Sequence, residues 1–137
     1  MYEPIRTKSV HTMADPGDFP HRSREEELDI QLAGHLAALL AVTDELRALA
    51  PDPALDTAAE RLAAQVARLR GGHPPVRAAG VATAIHEPHL SALHQRAHAL
   101  AGRALVVAAS RADTAAAILA AERVDAHAAG ARLVGAA

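Results

Sequence analysis

Residues 88–111 read PHLSALHQRAHALAGRALVVAASR, and this stretch carries the clearest helical pattern in the chain. At 100° per residue its apolar side chains fall on one side, which is the pattern of a helix packed against a core. The members of this stripe are Leu90, Leu93, Ala97, Leu100, Ala101, Ala104, Val107 and Ala108. The pattern predicts a central helix over residues 88–111.

Three further stretches have the same periodicity, and residues that favour helix starts precede them. Ser23 with Glu26 has the spacing of a capping box, and Asp52 before Pro53 is typical of a helix N-terminus. Asp113 predicts a new start after the central helix. The predicted helices span residues 24–50, 53–70, 88–111 and 114–134.

The composition of the chain favours helices over strands. The 137 residues are 50% hydrophobic but include only one Tyr, one Phe and no Trp, and Ala, a strong helix former, dominates. We therefore predict an all-α protein, a four-helix bundle with antiparallel neighbours, preceded by an irregular N-terminal extension over residues 1–22. An unbroken helix over residues 88–133 is the alternative, and it would need a second chain to cover its apolar face.

Charge and cysteine content narrow the classes of partner. The net charge of −2 provides no basic patch for nucleic acid, and no apolar run is long enough to span a bilayer. Without Cys the chain has no disulfide and no thiolate ligand or nucleophile, which is typical of a reducing compartment. We expect a cytoplasmic protein that binds neither nucleic acid nor membranes.

A cluster of histidines is the most unusual chemical feature of the sequence. Four of the nine lie between His86 and His98. His94 and His98 are four residues apart on one helix, a spacing that suits Zn²⁺ or another divalent transition metal. His35, in the apolar stripe of the first helix, and Glu122, in that of the last, would complete a site. The sequence therefore predicts a candidate metal site of His94, His98, His35 and Glu122.

Ordinary helix packing offers a second interpretation of the same residues. Histidines are common on helix surfaces, and buried polar groups usually find a hydrogen-bond partner, which would account for His35. Glu122 would then pair with an arginine, such as Arg103 or Arg132, or lie in a dimer interface. The sequence leaves both interpretations open. The apolar stripe predicted for the last helix comprises Ala115, Ile118, Leu119, Ala126, Ala129 and Leu133.

The catalytic and cofactor-binding motifs that we sought are missing. The segment HEPHL at 86–90 has Leu90 where a zincin has its second His, no Glu is followed three residues later by His, and no phosphate-binding glycine loop is found. The Ala-rich stretches 115–121 and 126–131 suit close helix pairing. We expect a non-enzymatic protein, a homodimer or the partner of another protein, with metal or small-ligand binding by the histidines as the alternative function.

Overall fold

The computed structural model describes residues 22–78 and 87–136, which form four helices. These are α1 (Arg24–Leu49), α2 (Pro53–Leu69), α3 (Glu87–Arg111) and α4 (Thr114–Ala136). Each helix begins and ends within two residues of the range expected from the sequence. The predicted N-terminal extension and His86 lie outside the described residues, and the side chain of Leu133 is not described either. The described residues contain no strand, and the protein is a four-helix bundle.

Local capping determines where the helices start. The Ser23 hydroxyl accepts the amide of Glu26, and the Glu26 carboxylate accepts the amide of Ser23, so the predicted capping box is present. Asp52 caps α2 through the amide of Ala54, with Pro53 as the first helical residue. These side chains satisfy amides that would otherwise lack an acceptor.

A two-residue turn separates α3 from α4 and excludes the single long helix. Ala112 has a φ of 59°, a left-handed conformation that ends α3. Asp113 then caps α4, because its carboxylate accepts the amide of Ala116. The chain therefore reverses here, and α3 and α4 make the most extensive helix contact in the bundle.

Ion pairs join opposite ends of α1 and α3. Arg111, at the end of α3, lies 3.0 Å from Asp29 near the start of α1, whereas His89, near the start of α3, lies 3.7 Å from Glu45 towards the end of α1. These contacts bring the end of α3 to the start of α1 and the start of α3 to the later part of α1. Helix α1 also packs along α2, whereas α2 and α4 touch at only a few positions.

The core is aliphatic and follows the stripes predicted for the first three helices. The leucines of α1 and α2 supply most of the bulk, and the stripe of α3 is buried except for Val107, which is half-buried. The small residues of α3 allow close helix approach: Ala97, Ala101, Ala104 and Ala108 are completely buried. None of the described helices is both long and apolar enough to cross a membrane.

The stripe predicted for α4 was wrong at three of its six positions. Ala115, Ile118 and Ala126 are exposed. Leu119 is buried as predicted, and the other buried positions of the helix are Ala116, Ala120, Arg123 and His127. The predicted buried face is displaced by one residue, or 100° of rotation about the helix axis. Alanine occurs on every side of this helix and so does not mark the buried face. Two of the buried positions are also polar.

We expect Ala104→Leu to lower the free energy of unfolding by about 1–3 kcal/mol, because the added carbons have no space between closely packed helices. The matched control is Ala99→Leu, an exposed position of the same helix, which should change stability by less than about 0.5 kcal/mol. Urea unfolding followed by circular dichroism measures both. Equal effects would mean that α3 is not packed closely at Ala104.

Candidate functional site

A buried polar cluster lies between α3 and α4, and it is the strongest candidate for a functional site. It consists of His94, Arg123 and His127, which we call the histidine–arginine cluster. Arg123 and His127 are four residues apart, so they share one face of α4, and this face is the buried one. Arg123 is 8% exposed and His127 only 1%. Buried arginine and histidine are uncommon and call for a physical reason.

Hydrogen bonds in the cluster run in one direction. Nη2 of Arg123 lies 3.3 Å from Nε2 of His127, and Nδ1 of His127 lies 3.1 Å from Nδ1 of His94. A guanidinium only donates, so Nε2 of His127 must accept and the ring proton must be on Nδ1. That proton is donated to Nδ1 of His94, which leaves the proton of the half-buried His94 on Nε2. The network itself assigns these tautomers.

Gly130 makes room for the ring of His94. A Cβ atom at position 130 would lie 2.6 Å from both Nδ1 and Cε1 of that ring, far closer than van der Waals contact. The absence of a side chain therefore lets His94 approach the backbone of α4 and reach His127. Glycine in a helix interior lowers the stability of the helix, and here it also permits the contact between His94 and His127.

Both histidines of the cluster are held in the neutral form. Burial, followed by the charge of Arg123, lowers the pKa of His127 to about 3. The same two causes, in the same order, lower the pKa of His94. Protonation of either ring would place a second positive charge beside the guanidinium in a region of low dielectric.

The four predicted metal ligands do not come together. His98 is exposed, His35 is half-buried on α1, and Glu122 is exposed and directed towards α2. Within residues 22–78 and 87–136, no group of three or more His, Asp or Glu side chains is arranged to hold a metal ion. The metal site stays a prediction that this geometry does not favour.

The tautomers also oppose a metal site that would use His127 as a ligand. A metal bound at Nδ1 of His127 would need the lone pair there, which moves the ring proton to Nε2. That proton would then face the N–H groups of Arg123, donor against donor, whereas metal-bound histidines usually donate to an acceptor. The positive charge of Arg123 also opposes a cation at this position.

Glu122 pairs with an arginine that the sequence analysis did not name. Its Oε1 atom lies 2.5 Å from Nη1 of Arg61 on α2, rather than contacting Arg103 or Arg132. The hydrogen bond from Arg61 lowers the pKa of the Glu122 carboxyl. Both side chains remain about half exposed, so the pair spans the surface between α2 and α4.

Sequence reasoning missed Arg123 and His127 because it placed the wrong face of α4 in the core. One signal could have found them. Gly130 is a costly residue in a helix interior, and a helical glycine often marks a close approach. Placing Gly130 towards α3 would have brought His127, three residues earlier, to the same side.

A groove lies along the second half of α1, apart from the histidine–arginine cluster. It has a volume of about 640 Å³ and is lined by α1 and residues 75–78, with Arg77 bound to Asp44 across it. Its size is within the range of ligand pockets. Residues 79–86, which follow the lining residue Ala78, lie outside the described residues, so we assign the groove no ligand.

No protein-family model matches the chain, and neither a curated protein nor a solved structure matches it. The function must therefore be argued from the chain's own residues.

We expect Gly130→Ala to displace His94 from His127, and hence to gain none of the roughly 1 kcal/mol by which alanine normally stabilises a helix over glycine. Gly34→Ala is the control, because a Cβ there meets nothing within 4 Å. Urea unfolding and the imidazole ¹⁵N shifts of His94 measure the two effects. Equal stabilisation by both substitutions would show that His94 does not need the glycine.

The lowered pKa of His127 predicts a loss of stability in acid. As the pH falls below 6.5, the unfolded chain takes up a proton that the folded chain refuses until about pH 3. We expect the free energy of unfolding to decrease by about 2 kcal/mol from about pH 7 to pH 5 through His127 alone, with a further decrease from His94. Unfolding titrations across this range measure it.

His127→Gln should flatten this pH dependence, because the amide oxygen still accepts from Arg123 but does not titrate. His73→Gln replaces an exposed histidine outside the cluster and should leave the dependence in place. A His127→Gln protein that loses stability in acid as steeply as the wild type would contradict the neutral buried ring.

Proposed function

We propose that the protein is a non-enzymatic helical bundle that acts through self-association, with a second copy of the chain bound to the outer face of the α3–α4 hairpin. The observation that carries this proposal is that each helix of the hairpin exposes a large aliphatic side chain. Val106 is 66% exposed and Ile118 is 53% exposed. Large apolar side chains grouped on a surface are typical of interaction sites.

The shape of this surface favours a copy of itself. A depression of about 310 Å³ lies at the turn between α3 and α4, next to Ile118, and most of its lining is alanine: Ala108, Ala109, Ala112, Ala117 and Ala121. Val106 lies one helical turn before Ala109. A protruding side chain beside a depression is self-complementary under a twofold axis, because each copy offers what the other accepts.

The chemistry of the cluster gives little support to an enzyme. The histidine–arginine cluster contains no nucleophile, and the lowered pKa of His127 makes it a weak base near neutral pH. We include the cytoplasm in the proposal because a chain without Cys suits a reducing compartment.

We expect Ile118→Lys to weaken self-association by at least about a hundredfold. Each buried isoleucine contributes about 1.5–3 kcal/mol, and a twofold interface contains the residue twice. Sedimentation velocity over a range of concentrations measures the dissociation constant.

Ile30→Lys is the matched control. Ile30 is 50% exposed on α1, almost as much as Ile118, but lies on another helix. It should leave the dissociation constant unchanged. A wild-type protein that stays monomeric at every concentration, or equal weakening by both substitutions, would contradict the proposal.

A further inference from the structure

Helices α2 and α4 form the least closely packed side of the bundle. The other neighbouring helices pack along their lengths, whereas these two touch at only a few positions. Two ion pairs bridge them: Arg61 with Glu122, and Arg68 with Asp113 at 2.7 Å. We call this side the α2–α4 seam. Its polar bridges, unlike an apolar contact, can exchange one partner for another in water.

Arg123 carries a buried positive charge that no carboxylate in the described part of the chain contacts. Its Nε atom is buried and has no hydrogen-bond partner there, and Nη2 contacts only the neutral ring of His127. A guanidinium has five N–H donors and stays charged in proteins. Burying such a charge without a partner is strongly unfavourable, so an anion that contacts Arg123 would stabilise it.

The charged groups near Arg123 come mainly from the seam. Arg61 on α2 is close enough that its charge adds to burial in lowering the pKa of Arg123, while Glu122 and Asp52 oppose the change more weakly. Arg61 binds the carboxylate of Glu122, which is the residue immediately before Arg123 on α4, so Glu122 is bound to the outer of the two guanidiniums. Arg123, the inner one, keeps an unused N–H.

We propose that Arg61 and Arg123 form a binding site for a small oxyanion, a phosphate or a carboxylate, at the α2–α4 seam. Guanidinium groups bind these planar or tetrahedral anions through pairs of charge-assisted hydrogen bonds. In the structure the Glu122 carboxylate occupies Arg61. The incoming anion replaces it there and also accepts from Arg123, so Glu122 competes with the ligand.

His127 is a positioning residue in this site. Its Nε2 accepts from Nη2 of Arg123 and so fixes the orientation of the guanidinium. Because the ring is neutral, it provides no counterion, and the full charge of Arg123 remains available to a ligand. The same arrangement that opposes a metal cation attracts an anion.

Calorimetric titration with inorganic phosphate, and separately with acetate, tests the proposal at neutral pH and constant ionic strength set with sodium chloride. We expect saturable binding of one anion per chain. Binding of phosphate alone would assign phosphoryl ligands, and binding of acetate alone would assign carboxylates. Failure of both anions to bind above the chloride background would overturn the site.

Substitutions locate the binding. Arg123→Met and Arg61→Met should each weaken it by about tenfold or more, since each removes a charged donor. Arg103→Met, at an exposed position of α3, should leave it unchanged. If Arg123→Met fails to fold, Arg61→Met, at the surface, carries the test. Wild-type affinity in the folded variants would overturn the proposal.

Removal of the competing Glu122 carboxylate should increase the affinity for the anion. A substitution that only damages the protein would not increase it. Glu122→Gln frees Arg61 and should tighten anion binding several-fold. Asp125→Asn removes an exposed carboxylate of the same helix and serves as the control, because a general change in net charge would affect both variants alike. Equal effects would show that the anion is only attracted by overall charge.

Discussion

The close approach of α3 and α4 is the constraint on which the rest of the structure depends. It is possible because the buried residues on both helices are small: Ala101, Ala104, Ala108, Ala116 and Ala120 are fully buried. The short turn at Ala112 and Asp113 begins the hairpin, and Gly130 lets the ring of His94 reach His127 farther along it. Larger residues at these positions would separate the helices and break the polar cluster.

The same small residues explain why the cluster contains a charge without a counterion. Arg123 projects from the buried face of α4, whose other buried residues are alanine, leucine and histidine. The carboxylate of the adjacent residue, Glu122, turns outward to Arg61. A cation would meet repulsion from the guanidinium and a donor on His127, whereas an anion would meet unused donors. The electrostatics of the site therefore oppose the metal chemistry that the histidine spacing suggested.

The two proposed binding surfaces occupy different parts of α4. The association surface lies at its first two turns, near Ile118, and the anion site lies farther along, near Arg123. The residues at the centre of each surface, Ile118 and Arg123, are different, so each property has its own test substitution.

The sequence by itself determined the fold class and the helix positions. Caps such as Ser23 and Asp52 act within a few residues of the chain, and the leucines of α1 and α2 identify the buried face of each helix without any tertiary information. Only the tertiary structure decided the candidate site. Alanine fits a helix surface and a helix core equally well, so the buried face of α4 was fixed by its packing against α3. That packing buried Arg123 and His127 and turned Glu122 to Arg61, because these contacts join residues far apart in the chain.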